Sequence, residues 1–331
     1  MGSQFVDFNA DGLIDLVTAT FDGSPHIAYG TKDGFEEPAH IMNKQGKRIL
    51  LGQFWDFDAE QWTDLDKPQC TSAVAFDWDD DGDYDLLLGE YGGGDLYLCR
   101  NEGKAGKPAF SETNELLHAG GKPFALNGGI TAPRLVDWDG DGLTDLVIGS
   151  FGESYKADPP GGVYLYRNIG KQGAPQYAAA LALIAPAKTE GSEQARPNVG
   201  MYADPVDVNG DGALDLIVGG YSIWQPTRLE LTHDQVAELA GLRDSEAEAR
   251  ERMLEENERL MDAMEGLEGD ERGARWKELT AEDAYVKLRE ELSSISARIQ
   301  TLDPKLKRES AVWIYLQEPG GAVTIPASAG R

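Results

Sequence analysis

Residues 77–90 read DWDDDGDYDLLLGE, and this stretch decides the fold. Its first nine residues place aspartates at alternate positions, with a glycine in sixth place. Calcium takes six to eight oxygen ligands, and a glycine allows the sharp turn that brings such ligands to one ion. The apolar run that follows is typical of a buried strand. The stretch therefore predicts a cation-binding loop that leads into a strand.

The same nine-residue pattern occurs four times, and an apolar run follows each copy. Side-chain oxygens at loop positions 1, 3, 5 and 9 and the backbone carbonyl at position 7 can together surround a calcium ion. Without a cation, carboxylates at this spacing would repel each other. About four Ca²⁺ sites are predicted, with the ligands Asp7, Asn9, Asp11, Leu13 and Asp15; Asp77, Asp79, Asp81, Asp83 and Asp85; Asp137, Asp139, Asp141, Leu143 and Asp145; and Asp207, Asn209, Asp211, Ala213 and Asp215.

An EF-hand loop begins in the same way but needs a carboxylate at position 12 and a helix on each side. Position 12 carries no carboxylate in any copy and falls within the predicted strands, at Thr18, Leu88, Ile148 and Val218. The EF-hand is therefore excluded.

The four loops resemble the calcium loops of FG-GAP/VCBS repeats, which occur in integrin-type and many bacterial secreted β-propellers. The resemblance covers roughly residues 5–230 and resumes near residues 310–320. It implies one propeller blade per repeat, with the loop joining the first two strands. It also implies calcium at the Asp and Asn side chains of positions 1, 3, 5 and 9, and an extracellular, cell-surface or periplasmic location.

Each repeat also contains a predicted third strand, which is rich in β-branched and aromatic residues. The apolar residue at loop position 2 is predicted to pack between blades. The third strands are expected at residues 24–29, 95–100 and 162–167, and near residues 312–316 in the last repeat.

The fourth repeat is interrupted by a segment of different composition. From about residue 232 to residue 302 the chain is rich in Glu, Arg, Leu, Ala and Met, with apolar residues at helical spacing. Thr232 and Gln235 predict a capping box, residues 266–273 a turn, and Thr280 with Asp283 the start of a second helix. Two helices joined by a turn favour an antiparallel hairpin.

The predicted fold is therefore mainly β: a β-propeller of FG-GAP/VCBS-type blades with an antiparallel α-helical hairpin, or coiled coil, inserted in the last blade. The expected boundaries are residues 1–230 for the blades, 231–308 for the hairpin and 309–331 for the return strand. The start of the chain, where MGS is followed closely by Phe5, predicts a cut at a repeat boundary from which a leader or further repeats are missing.

Charge and cysteine content limit the possible partners and chemistry. The formal net charge is −28, which excludes binding to nucleic acid or anionic membranes by electrostatic attraction. No apolar run is long enough to span a membrane. Cys70 and Cys99 fall in one repeat and are expected either to form a disulfide or to remain free thiols.

Motifs typical of catalysis are absent from the sequence. The four histidines do not follow the His-Glu-x-x-His spacing, and no Gly-x-Ser-x-Gly elbow occurs. The protein is therefore expected not to be an enzyme. A polysaccharide lyase or glycoside hydrolase is the enzymatic alternative, because paired carboxylates can act as acid and base.

The leading interpretation is a calcium-rigidified module for protein interaction, adhesion or assembly. Its partner would be another protein or a second copy, bound through the propeller face or the helical hairpin. The alternative is a lectin-like propeller that binds a glycan through aromatic side chains. The candidates for stacking on a sugar are Trp55, Trp62, Tyr202 and Trp224.

Overall fold

A computed structural model describes residues 2–104, 106–126, 128–129, 132–153, 159–187, 190–191, 196–226 and 230–317. The chain divides into two compact units. The β unit comprises Met1–Thr189, Gln194–Trp224 and Arg308–Arg331, and the helical unit comprises Glu190–Glu193 and Gln225–Lys307. Residues 318–331 of the expected return segment lie outside the described residues.

The first repeat forms a four-stranded antiparallel sheet, in the order β1-β2-β3-β6. One short hairpin, β4-β5, lies between β3 and β6 in the chain, and a second, β7-β8, follows β6. The first acidic loop joins β1 to β2. The strands are β1 Ser3–Val6, β2 Asp15–Ala19, β3 Pro25–Ala28, β4 Gly30–Thr31, β5 Gly34–Phe35, β6 Ala39–His40, β7 Phe54–Asp56 and β8 Gln61–Thr63.

The second and third repeats form equivalent sheets, in the orders β9-β10-β11-β12 and β15-β16-β17-β18. An acidic loop again joins the first two strands of each. The strands are β9 Cys70–Phe76, β10 Asp85–Glu90, β11 Leu96–Cys99, β12 Glu115–Leu116, β13 His118–Ala119, β14 Lys122–Pro123, β15 Ala132–Val136, β16 Asp145–Gly149, β17 Val163–Tyr166 and β18 Leu181–Ile184.

The fourth repeat is built from two distant parts of the sequence. Its strands are β19 Glu190–Gly191, β20 Val199–Val206, β21 Asp215–Pro226 and β22 Lys307–Tyr315. The central strand β21 pairs with β20, β19 and β22. All four predicted third strands are confirmed, as β3, β11, β17 and β22. The described residues form seven small sheets in all, which confirms a mainly β fold.

Adjacent residues on the second strand of a repeat pack into different hydrophobic cores. Leu86 and Leu88 lie in the core shared with the first repeat, whereas Leu87 lies in the core shared with the third. Side chains alternate across a strand, so a strand that is buried on both faces must be apolar at every position. The continuous run at residues 86–88 follows from this two-sided burial.

Loop position 2 shows where this packing ends. Phe8, Trp78 and Trp138 lie in or against the three cores between successive repeats, as predicted. Val208, the fourth member, is 43% exposed, so the prediction of core packing is wrong at this position. None of the core clusters in the described residues joins the fourth sheet to the first. Closure of a propeller ring therefore stays a prediction.

The helical unit contains three helices: α1 His233–Asp262, α2 Gly269–Leu279 and α3 Asp283–Leu302. The capping box at Thr232 is confirmed. Thr280, however, ends α2 rather than starting α3, because its Oγ1 donates a hydrogen bond back to the Trp276 carbonyl at 2.8 Å. The predicted turn is also shorter than residues 266–273, since acidic residues early in α2 favour a helix start at Gly269.

Helices α1 and α3 pack through Leu239, Ile299 and Leu302. Two ion pairs connect them: Glu238 with Arg298 at 2.6 Å, and Arg252 with Glu291 at 2.6 Å. The start of α1 therefore contacts the end of α3. Exposed pairs of this kind contribute little because water screens them, so the apolar contacts supply most of the packing energy.

One hydrogen-bond arrangement joins the parts of every repeat. The buried carboxylate at loop position 9 accepts the position 2 N–H, at 2.8–3.1 Å. Its other oxygen accepts an N–H from just beyond the third strand, at 2.6–2.8 Å. In the fourth repeat these residues are Asp215 and Gln317, so this bond holds β22 in place across the inserted helices. The donors beyond the third strand are Gly30, Asn101, Asn168 and Gln317.

We predict that Asp215→Asn destabilises the protein by about 2–4 kcal/mol, because an amide nitrogen then faces a buried N–H donor. Asp215 is fully buried and both of its oxygens accept backbone N–H groups. Urea unfolding followed by tryptophan fluorescence measures the loss, which we expect both in calcium and in a chelator. Asp33→Asn, in an exposed turn, is the matched control. A loss seen only in calcium would mean that Asp215 acts solely as a metal ligand.

Candidate metal centre

All four acidic loops have the same backbone shape. The position 1 aspartate accepts the N–H groups of positions 5 and 6, at 3.0–3.2 Å. The position 6 glycines have φ between 85° and 91°, a left-handed conformation that other residues resist. The predicted role of this glycine is confirmed. The residues concerned are Asp7 and Gly12, Asp77 and Gly82, Asp137 and Gly142, and Asp207 and Gly212.

The loops bring together many of the predicted ligand groups. In the second loop, carboxylate oxygens of Asp77, Asp79 and Asp81 lie within 4.8 Å of one another. In the third loop the same holds for Asp137, Asp139 and Asp145. Clusters of hard oxygen donors at this spacing suit a divalent cation such as calcium.

The first and fourth loops carry asparagine at position 3. Asn9 Nδ2 donates to Asp11 Oδ2 at 3.0 Å, and Asn209 Nδ2 donates to Asp211 Oδ2 at 3.0 Å. The asparagine oxygen also accepts the position 5 N–H. These loops therefore have one fewer negative charge at position 3.

The position 7 residues contribute their N–H groups to the loops. Each N–H donates to the position 5 aspartate, at 2.8–3.1 Å. The use of their carbonyls as calcium ligands stays a prediction. The residues are Leu13, Asp83, Leu143 and Ala213.

Burial changes the acidity of the position 9 carboxyls. It raises the pKa of Asp85 to about 6, although the N–H groups of Asn101 and Trp78 oppose the shift. The pKa of Asp145 is also raised, again mainly by burial. By contrast, the N–H of Gly212 lowers the pKa of the exposed Asp207. A bound cation would favour the ionised form of the buried carboxyls.

Asp83 provides a direct test of whether the second loop suits a cation. The residue is 6% exposed, and its buried Oδ2 has no hydrogen-bond partner among the described residues. Burial raises its pKa, and Asp81, Asp79 and Asp77 raise it further. Burying an unpaired carboxylate beside three others is unfavourable unless a cation compensates the charge or a proton neutralises it. The second loop therefore fits a calcium ion.

Two arginines missed by the sequence analysis compensate the extra charge at position 3. Arg100 Nη1 lies 3.6 Å from Asp79 Oδ2, and Arg167 forms an ion pair with Asp139. Each arginine directly follows the third strand of a repeat that has aspartate at position 3. The equivalent residues beside Asn9 and Asn209 are Tyr29 and Leu316. The Arg-Asn pairs at residues 100–101 and 167–168 were the signal in the sequence.

A second feature unites the four repeats. One aromatic residue per repeat, six positions beyond the buried position 9 aspartate, lines a single cavity of about 500 Å³ in the β unit. Their constant register was visible in the sequence, but these residues were not predicted as a site. They are Phe21, Tyr91, Phe151 and Tyr221.

The structure also shows the state of the two cysteines and of the aromatic residues predicted to stack on a sugar. Cys70 and Cys99 are free and buried, so the structure contains no disulfide between them. Of the proposed sugar-stacking aromatics, Trp224 is buried at 8% exposure, whereas Trp62 is 40% exposed. Trp62 packs edge-on against Trp55, with ring centroids 5.6 Å apart.

We predict opposite effects of Asp83→Asn in the presence and absence of calcium. In a chelator the substitution should raise stability by about 1 kcal/mol, because it removes a buried, unpaired charge. In calcium it should weaken binding at the second loop, measured by calcium titration calorimetry. Asp80→Asn is the control, since Asp80 is exposed and bonds Gln172 instead. Equal stability changes in both conditions would argue against a cation beside Asp83.

Comparison with known proteins identifies the repeats. The family model described as FG-GAP-like repeat matches residues 77–148 and 137–218. Searches of curated proteins and of solved structures found no match. Among the described helices, none has the length and apolar character needed to cross a membrane.

Each matched segment begins at an acidic loop and extends through the next loop into its following strand. Three of the four loops therefore lie within the match, and the loop at residues 7–15 makes the same hydrogen bonds outside it. Residues 77–218 of this chain are FG-GAP-like repeats.

Proposed function

We propose that this protein is a non-enzymatic, calcium-binding interaction module that acts in an extracellular, cell-surface or periplasmic setting. FG-GAP repeats are typical of extracellular and cell-surface proteins and often mediate protein interactions. The proposed partner is a protein, and the bound calcium ions hold the repeat loops in one conformation.

The aromatic cavity is the observation that carries this proposal. Phe21 and Tyr91 are 47% and 42% exposed, and their rings meet edge-on at 5.9 Å. The Arg308 guanidinium lies 3.7 Å from the centroid of the Tyr221 ring. Exposed aromatic side chains around a concave surface are typical of binding sites, because they bury large apolar areas with little loss of conformational entropy.

The same cavity supports a propeller arrangement of the four sheets. The second strand of every repeat reaches it: the cavity aromatic lies just beyond this strand in the first three repeats and on it in the fourth. Strands approach the axis of a propeller in this way. The three cores between successive sheets are also those expected between neighbouring blades. Exposed apolar residues on the last sheet, including Val206, Val312 and Ile314, leave room for a further blade or a partner there.

Calcium would act on the cavity indirectly. Each acidic loop precedes the second strand, and the cavity aromatic lies just beyond that strand or, for Tyr221, on it. An ion that fixes the loop therefore stabilises the strand that positions the ring. A ligand at one hundred times its dissociation constant adds about 2.7 kcal/mol per site to the folded state.

The helical unit is a second proposed surface, for self-assembly. Leu254, Met261 and Trp276 are exposed on its helices, and Met264, Arg272 and Trp276 help line a cavity of about 350 Å³. We propose that α1 and α3 form the arms of a hairpin that offers this surface. Methionine adapts to irregular partners, which suits a docking role.

A glycan ligand is the alternative, because the cavity aromatics and Trp62 could also stack on sugar rings. The protein-binding and glycan-binding hypotheses differ in the class of ligand that binds. A screen for polysaccharide cleavage tests the enzymatic alternative.

Binding to defined probes tests the proposal. A displayed random-peptide library and a glycan array are offered to the whole chain in millimolar calcium. We predict that selected peptides bind, that Tyr91→Ala weakens them about tenfold or more, and that chelation abolishes binding. Trp62→Ala is the matched control, because Trp62 is an equally exposed aromatic that does not line this cavity.

Peptides that bind Tyr91→Ala as tightly as the unaltered chain would contradict the cavity as the binding site. Glycan ligands without peptide ligands would replace the proposal by the lectin alternative.

A further inference from the structure

Asp22, His26 and His40 form a cluster in the first repeat, away from the acidic loops. Asp22 lies in the turn between β2 and β3, His26 lies on β3, and His40 lies on β6. His26 and His40 are direct cross-strand partners, so they emerge on the same face of the sheet. The three groups are thereby fixed by one turn and one strand pair.

The ligand atoms of this cluster converge on a single point. His26 Nε2 and His40 Nε2 each lie 2.8 Å from the same oxygen, Asp22 Oδ2. The two imidazole centroids are 4.3 Å apart. Metal–ligand bonds of about 2.0–2.2 Å place the ligand atoms of one ion roughly 3 Å apart, so this geometry needs little change to hold an ion.

We propose that Asp22, His26 and His40 bind a divalent transition-metal ion of the zinc type, which leaves at least one coordination position for water. Two imidazoles and one carboxylate suit zinc and neighbouring first-row ions, whereas calcium prefers oxygen ligands only. The site is thus chemically distinct from the four acidic loops.

The surroundings hold the carboxylate in position. Its other oxygen, Asp22 Oδ1, accepts hydrogen bonds from Thr20 Oγ1 at 2.6 Å and from the Ser24 N–H at 3.1 Å. Oδ2 is therefore turned toward the histidines. Fixing a ligand through its second oxygen is typical of metal sites.

Arg48 is the one cation close to the cluster in the described residues, and it has two effects. It donates hydrogen bonds to the Asp22 and Trp55 carbonyls and to Ser24 Oγ, which anchors the turn. Its Nη2 also lies 3.3 Å from Asp22 Oδ2, where its charge reduces the attraction for a metal. We therefore expect micromolar rather than nanomolar affinity for zinc.

The competing arrangement is a metal-free cluster in which both histidines donate N–H groups to Asp22. It satisfies the same distances, with ring N–H protons in place of a metal ion. The nearby Cys70 does not enter either arrangement, because its buried thiol donates to the Ser72 carbonyl at 3.4 Å. The two arrangements are therefore distinguished by metal binding alone.

Titration calorimetry with Zn²⁺, in millimolar calcium that saturates the acidic loops, tests the proposal. We predict one Zn²⁺ per chain that calcium does not displace, and at least a tenfold loss of affinity in His26→Ala and His40→Ala. His118→Ala should bind as the unaltered chain does, since His118 is exposed and lies outside the cluster. Circular dichroism checks that the variants are folded.

A measurement on the unaltered chain does not depend on variant folding. Zn²⁺ should protect His26 and His40, but not His118, from diethylpyrocarbonate, as read by mass spectrometry. No zinc binding in calcium, or equal modification of all three histidines with and without zinc, would overturn the proposal. Zinc binding that persists unchanged in His40→Ala would also overturn it, because the ion would then lie elsewhere.

Discussion

In each repeat, the carboxylate at loop position 9 accepts one N–H from the loop and another from just beyond the third strand. These residues, such as Asp85, are almost completely buried, so neither hydrogen bond is replaced by water. The loop, the second strand and the third strand are thereby tied to one side chain. Because the fourth repeat uses Asp215 and Gln317, a long helical insertion can interrupt it without loss of this bond.

Much of this arrangement was predictable, because it repeats. The nine-residue pattern gave the loops, the glycine conformation and the start of each second strand. The return of the chain to the fourth repeat was visible near residues 312–316, since their apolar pattern matches the other third strands. A single acidic loop is a weak signal, but four copies followed by similar strands predict the same strand arrangement in every repeat.

Other features depend on contacts between distant residues, which local patterns do not encode. The position 9 aspartates were predicted as metal ligands, but each also accepts an N–H from beyond the third strand. That contact exists only in the folded sheet. Val208 follows the same pattern as Phe8 yet is exposed, because burial depends on what packs against it. The Asp22, His26 and His40 cluster was missed because β3 and β6 come together only in the folded sheet.

The structure also explains part of the acidic character of the chain. Negative charge is concentrated in the loops, where Asp83 lacks a partner and Arg100 offsets Asp79. An aromatic cavity on a strongly acidic protein suits a partner with basic and apolar groups. Calcium in the loops would reduce repulsion and hold the strands that carry the aromatic residues.

Thermal unfolding of the whole chain, in millimolar calcium and then in a calcium chelator, tests the central claim most directly. If the loops bind calcium in the folded state, the melting temperature should be several degrees higher in calcium and should rise with calcium concentration. Magnesium at the same concentration should have a smaller effect, because it requires tighter octahedral geometry. An identical melting temperature in calcium and in chelator would contradict the account of the acidic loops as calcium sites.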